Sequence, residues 1–301
     1  MTQRSAIQRH RRRFDRASGL VLGLVLGLVL PLVLIADMAA PALAEDGRPI
    51  RFGARIDAPP MSYEDPEGVL RGYSIDICDE VKKVFAELYP ERRIEDGYVR
   101  VTAGDRQQKI ISGEVDTVCG AFSVTESRLK DFDFSFLTFT GGAGVVALRK
   151  VETLLPRATK APAEETMKVA VVNETTTKEL VETLLGTSVS IQPKTTHQDA
   201  FRALVQREVD LYFGDREILQ AMVARSGNAD EFVVGGKFLT YEPYALPFAK
   251  GRNAELRYAA NKAIGRLYRS KQILGIFKRH FEGKEPNEAL LGLYRLYAIP
   301  E

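Results

Sequence analysis

Apolar Ile50, Phe52, Ala54 and Ile56 alternate with less apolar neighbours, the period-two pattern of a strand that buries one face, and Pro59-Pro60 ends the run. From Gly72 the period lengthens: Ile77, Val81, Val84, Phe85 and Leu88 fall on one face of a helix. Residues 98–102 predict a second strand, 105–112 a short helix capped by Gly113, and 115–119 a third strand. Further along, a strand at 168–172 precedes helices near 177–185, 199–206 and 215–225, and two more helices with apolar faces cover 254–268 and 272–281. Strands alternating with helices predict an α/β fold with a mainly parallel sheet.

One phrase occurs twice. Glu114-Val115-Asp116 leads to Gly120, and Glu208-Val209-Asp210 leads to Gly214, all four positions repeating at an offset of 94 residues. Each copy follows an apolar helix and opens a short strand, which predicts two lobes built on similar plans. Residues 151–165, with prolines at 156 and 162, read as a surface connection between them.

The N-terminus has a different texture. Arg4, Arg9, Arg11, Arg12, Arg13 and Arg16 precede an apolar run over 19–36, and Ala42-Leu43-Ala44 follows. A basic start, an apolar middle and small residues at alternate positions make residues 1–44 a secretory signal peptide. An uncleaved anchor is the rival reading, although the run sits at the short limit for a bilayer of roughly 30 Å. Arg11-Arg12-Arg13-Phe14 also has a loose likeness to a twin-arginine signal. The chain carries 42 Lys+Arg and 40 Asp+Glu; without the first 44 residues these become 36 and 38. The basicity belongs to the leader, and with no basic stripe beyond it a nucleic-acid partner is not expected. His10, His197 and His280 are scattered and CxxC pairs are missing, so neither a metal site nor a cofactor is expected. Cys78 and Cys119 leave two readings open, a disulfide permitted by export or two buried thiols.

Ligands of open α/β sheets bind beyond the carboxyl ends of strands, which directs attention to a few residues. Arg128, after the first repeated strand, offers a fork that clamps a carboxylate. Ser123 and the backbone amides of Thr175 and Thr176 add donors for the same anion, and Asp215, after the second repeated strand, suits an ammonium. As a set they point to a zwitterionic α-amino acid.

The stretch from Phe52 to about Glu282 resembles the periplasmic amino-acid-binding proteins of ABC importers, the family 3 extracellular solute-binding proteins. The likeness rests on Gly113-Glu114-Val115-Asp116, on Ser123-Val124-Thr125-Glu126-Ser127-Arg128, on Asp133-Phe134-Ser135 and on Gly72-Tyr73-Ser74-Ile75-Asp76-Ile77-Cys78. It implies a two-lobed type II fold with two hinge crossings, near 140–144 and 239–243, lobe 1 being 48–140 plus 242–299 and lobe 2 being 141–241. It further implies a monomer in the periplasm that closes on an amino acid and docks on a membrane permease, with Gly141, Gly142 and Gly144 supplying unusual backbone angles at a hinge. By the same likeness Arg128 and Ser123 hold the ligand carboxylate, the Ala121 carbonyl and Asp215 hold the ammonium, and Thr175 and Thr176 add contacts. The glutamate/aspartate-binding members are more similar still: Arg55, Arg106 and His197 match their cations for a side-chain carboxylate.

Some positions depart from that pattern. Glu174 stands where the family has glycine, Ala121-Phe122 replaces more polar residues, and Ala58 and Met61 stand where many relatives place aromatic rings. Glutamine therefore stays open as the ligand. An enzyme of the same fold, similar to prephenate or arogenate dehydratases, is the alternative; it needs a proton-transfer group in the cleft, for which Glu174 is the one candidate. The expectation is that the protein is not an enzyme.

Overall fold

The computed structural model describes residues 47–150, 167–235 and 238–300. The expected signal peptide and the segment 151–165 lie outside the described residues. No described helix is long and apolar enough to cross a membrane.

The chain opens with β1 (Phe52–Arg55), the short strands β2 (Asp57–Ala58), β3 (Ser62–Glu64) and β4 (Leu70–Arg71), then α1 (Tyr73–Leu88), β5 (Val99–Val101), α2 (Arg106–Ser112) and β6 (Thr117–Cys119). The first sheet is β5-β1-β6, all parallel. β1 is its central strand and every one of its residues is buried. The expected half-buried strand is thus a fully covered one, because parallel strands have helices or loops packed on both faces. Ile77, Val81 and Phe85 of α1 share one core with Phe52, Ala54 and the C-terminal helices α6 (Ala254–Arg269), α7 (Gln272–His280) and α8 (Glu288–Leu296). Gly72 starts α1 at φ 140°, and a side chain there would meet the Met61 carbonyl at 2.3 Å. Cys78 of α1 and Cys119 of β6 form a disulfide.

Next come β7 (Phe132–Gly141), β8 (Ala143–Leu148), β9 (Met167–Val172), α3 (Thr176–Leu185), β10 (Val189–Lys194), α4 (His197–Val205), β11 (Leu211–Asp215), α5 (Arg216–Arg225), β12 (Phe232–Val234) and β13 (Glu242–Ala249). The second sheet runs β10-β9-β11-β8-β12. Its first three strands are parallel, β8 runs antiparallel to β11 and to β12 on its other side, and β12 therefore points the same way as the first three. Side chains alternate between faces: Ala170, Val172 and Tyr212 join the core under α4, and Val169, Val171, Leu211 and Phe213 the core under α3. The strands on either side of residues 151–165, β8 and β9, both belong to this sheet, so the passage between the lobes falls elsewhere than expected.

The duplicated phrase has a structural cause. The Asp116 amide donates to the Arg51 carbonyl at 2.8 Å and its carboxylate accepts from the Arg51 amide at 2.7 Å. Asp210 does the same with Lys168, at 2.8 Å for both bonds. Each aspartate adds a side-chain rung beside a strand of its own sheet.

Two crossings join the lobes. β7 pairs with β13 in an antiparallel ribbon, and β13 also lies beside the end of β6 through an isolated Ser123–Tyr244 bridge. The chain passes from β7 to β8 through Gly142 and returns through Leu239 and Thr240 to β13. The crossings bond to each other: Leu239 N donates to Ala143 O at 2.8 Å, and Ala143 N donates to Thr240 Oγ1 at 3.0 Å. Gly142 is there for space. A Cβ would lie 1.9 Å from the Thr240 carbonyl, and none of Gly141, Gly142 and Gly144 has a positive φ. The expectation of unusual backbone angles at these glycines is therefore wrong.

Candidate functional site

The loop after β6 carries the first group of side chains. Arg128 lies in a 3-10 turn whose start is set by Thr125 Oγ1, which accepts from the Arg128 amide at 3.2 Å. Its buried guanidinium donates to the Ser123 carbonyl at 2.9 Å and covers the Phe122 ring at 4.7 Å. Arg106, the first residue of α2, covers the same ring at 4.8 Å. Its Nη1 donates to Ala121 O at 2.7 Å and its Nη2 to Glu174 O of the second lobe at 3.4 Å. The Arg106 Nε is buried with no hydrogen-bond partner among the described residues. Phe122 was expected only as a loss of polarity; its ring is in cation–π range of two guanidiniums. Burial, reinforced by the charges of Arg55 and Arg128, pushes the Arg106 pKa well down. Burial lowers that of Arg128 too, against the pull of Glu179, Glu242 and Asp215.

Arg55 ends β1 and is 1% exposed. Its Nε donates to Asp57 Oδ1 at 2.8 Å, and its Nη2 is 2.8 Å from the same oxygen. Asp57 Oδ2 in turn accepts from the backbone amide of His197, 3.3 Å away in the second lobe. Burial pushes the Asp57 carboxyl up, but Arg55 and His197 outweigh it and hold it below its ordinary value. Arg55 was expected as a cation for a ligand side chain; it is ion-paired with Asp57, and its buried Nη2 has no hydrogen-bond partner among the described residues.

His197 begins α4 behind its cap Thr196, whose Oγ1 accepts from Asp199 N at 3.1 Å. The Nδ1 of His197 is hydrogen-bonded with the Tyr212 hydroxyl. Burial pushes its pKa down to about 4, with Asp57 opposing. The imidazole is neutral near pH 7, so the third expected cation carries no charge.

Thr175 caps α3: its hydroxyl donates to Val172 O at 2.7 Å and accepts from Lys178 N. Its side chain belongs to the helix end, while Thr176 faces the cleft. Glu174 has φ 55°, the left-handed region that favours glycine, and its side chain is exposed. The unexpected acid of the sequence thus points its charge into solvent.

Asp215 is the last residue of β11 and precedes the first turn of α5. Burial and the nearby Glu242 carboxylate raise its pKa to about 6. Glu217, in the first turn of α5, is pushed up to about 8 by burial and by Asp215. Its Oε2 is buried without a partner among the described residues.

Glu242 was missed altogether. It starts β13 beside the second crossing and is 9% exposed. Ser123 Oγ donates to its Oε2 at 2.5 Å, Thr176 Oγ1 to the same oxygen at 2.6 Å, and Thr240 Oγ1 to its Oε1 at 3.0 Å. In the sequence Glu242 lies within the expected crossing near 239–243 and carried no role there; the three serine or threonine hydroxyls within its reach become visible only in three dimensions.

The structure therefore gathers Arg55, Arg106, Ala121, Ser123 and Arg128 from one lobe with Thr176, His197 and Asp215 from the other, in direct contacts and mutual electrostatic influence. Two α/β lobes joined by two crossings, with charged residues facing each other at the strand ends, define a type II binding-protein fold. The chain belongs to the bacterial extracellular solute-binding proteins, family 3, whose model matches residues 50–283. It is 27% identical over 247 residues to an L-glutamate/L-aspartate-binding protein of Pseudomonas aeruginosa, covering 80% of this chain and 79% of that one. It is 26% identical over 219 residues to the ABC transporter glutamine-binding protein GlnH of Bacillus subtilis, covering 71% and 74%. Among solved structures, the ancestral amino acid-binding protein AncCDT-1, a precursor of cyclohexadienyl dehydratase, superposes with a TM-score of 0.66 at 24% identity over 77% of this chain and 95% of that one. The cysteine-binding protein from Campylobacter jejuni gives 0.66 at 21% identity over 80% and 92%.

Proposed function

We propose that the protein captures a free α-amino acid whose side chain ends in an oxygen acceptor, glutamate or aspartate first, and presents it to an ABC importer. The observation that carries this reading is the convergence of three buried guanidiniums, Arg55, Arg106 and Arg128, from one lobe on Asp215 from the other. Arg128 serves the α-carboxylate and Asp215 the ammonium. A side-chain oxygen meets the unpartnered Arg106 Nε, since a buried donor without an acceptor costs about 1–3 kcal/mol. Ala121 O, already taken at 2.7 Å by Arg106, keeps one lone pair for the ammonium.

Glutamine is the second reading, favoured by the Arg55–Asp57 pair and the neutral His197, which leave less positive charge than an acidic side chain would use. Glu174 does not support the dehydratase-like reading, because its side chain is exposed. In this proposal residues 1–44 direct export to the periplasm, lobe 1 is 48–140 plus 242–299, lobe 2 is 141–241, and closure about the crossings traps the ligand.

Titration calorimetry with L-glutamate, L-aspartate, L-glutamine and L-arginine tests the reading. Arg128→Ala should weaken every ligand by about a hundredfold, the scale of one lost charged hydrogen bond with its pair. Arg55→Ala should change the order of preference and leave binding as such intact. Normal binding by a folded Arg128→Ala protein sinks the site assignment.

A further inference from the structure

The Ser123 side chain, expected to hold the ligand carboxylate, and the Thr176 hydroxyl, whose residue was expected to add a backbone amide, already hold a carboxylate of the chain itself. A serine or threonine hydroxyl has one proton. Ser123 and Thr176 both direct theirs at Glu242 Oε2, at 2.5 and 2.6 Å, and Thr240 directs its own at Oε1. To any other anion these hydroxyls present lone pairs. The three donors also come from three places: Ser123 follows β6 in the first lobe, Thr176 opens α3 in the second, and Thr240 lies on a crossing. One buried side chain therefore bonds to both lobes and to the strand between them. The charges facing it are Arg128, on its 3-10 turn, and Asp215 and Glu217, on β11 and α5, with the Tyr244 hydroxyl two residues along β13. Arg128 is the cation among these four, and it is also the residue assigned to the ligand carboxylate.

We infer that Glu242 is an internal surrogate for the ligand's carboxylate: it latches the two lobes through Ser123 and Thr176, and an incoming amino acid must displace it to gain those protons. Residue 242 thereby sets the affinity threshold of the site. This inference rests on the proposed amino-acid reading, and it deepens that reading by adding an intramolecular competitor. Charge is central to it, because hydrogen bonds to an ionised acceptor are roughly twice as strong as neutral ones. An amide at 242 would accept the same two protons and release them more readily.

The test uses the full chain, stripped of bound ligand by denaturation and refolding, as wild type, Glu242→Gln and Glu242→Ala. Calorimetry with L-glutamate and L-glutamine should show binding about tenfold tighter in Glu242→Ala, equivalent to 1.4 kcal/mol, with Glu242→Gln in between. Equal or weaker binding in both variants overturns the competition and leaves Glu242 as scaffolding for Ser123 and Thr176. Small-angle scattering without ligand gives an arm independent of ligand identity. Glu242→Ala should show a larger radius of gyration than wild type, as the lobes separate, and an unchanged radius overturns the latch. Should Glu242→Ala fail to fold, the direction of change in Glu242→Gln decides both arms. If wild type binds no amino acid while Glu242→Ala still expands, the functional reading fails and the latch stands.

Discussion

The two lobes share a frame and differ in what they hang on it. Asp116 and Asp210 clamp a neighbouring backbone segment in the same way, and each leads through a short strand to a glycine. Beyond that glycine the chains part. In the first lobe Gly120 leaves room for the Arg55 side chain, whose Cγ would lie 2.7 Å from an added Cβ, and the chain runs along β13 before reaching Arg128. In the second lobe Gly214 is followed at once by Asp215 and the first turn of α5. One lobe thus ends in guanidiniums and the other in carboxylates. A duplicated frame places two rims opposite each other, and the few residues after each strand give the rims their signs.

Removing what only one lobe has should produce the largest effect. Replacing Cys78 and Cys119 together by serine should lower stability by about 3 kcal/mol in urea unfolding, the usual value for a native disulfide. No measurable loss would show that the first lobe stands without its covalent tie. Next come the shared aspartates. Asp116 is fully buried and also bonds Arg48 at 2.5 and 2.9 Å, whereas Asp210 is partly exposed. Alanine should therefore cost about 2 kcal/mol at 116 and about 1 kcal/mol at 210 by the same assay. Equal losses would break the argument that burial separates the two copies.

The rim of the second lobe should reveal itself through pH. The Asp215 carboxyl sits at about 6, raised from 3.8, so below pH 6 it carries a proton and accepts poorly from an ammonium. Ligand affinity should fall about tenfold between pH 7 and pH 5, and Asp215→Asn should flatten that profile while weakening binding throughout. Protein stability carries two opposed contributions in the same region. That of Asp215 is present below pH 3.8 and is lost as pH rises through about 6. That of His197, lowered from 6.5 to about 4, is present above pH 6.5 and is lost as pH falls through about 4. The smallest effect is at Glu217, whose carboxyl is raised from 4.5 to about 8. Glutamine there mimics the neutral acid and should stabilise the fold near pH 8, with no gain near pH 4. A gain that persists at pH 4 would assign the effect to packing.

What the sequence made legible follows from the range of the forces involved. The faces of α1 and α4, the Gly113 cap and the Asp116 and Asp210 phrases depend on neighbours a few residues away, and they can be read directly. The β7–β13 ribbon depends on a partner more than 100 residues distant, and Pro243 and Pro247 disguise β13 as loop. Distance also hid Glu242, which holds the Ser123 and Thr176 hydroxyls from 119 and 66 residues away. Asp57 is only two residues from Arg55, and the pairing of the two was overlooked although it is local. His197 loses its charge through a burial that only the packed α4 creates.

The hydrogen bonds between the crossings have a mechanical consequence. Ala143 exchanges bonds with Leu239 and Thr240, and no Cβ fits between Gly142 and the Thr240 carbonyl. If the lobes close as proposed, strands stitched this closely should have no independent swivels. They should turn as a single axle, leaving the jaws on either side one rotational degree of freedom.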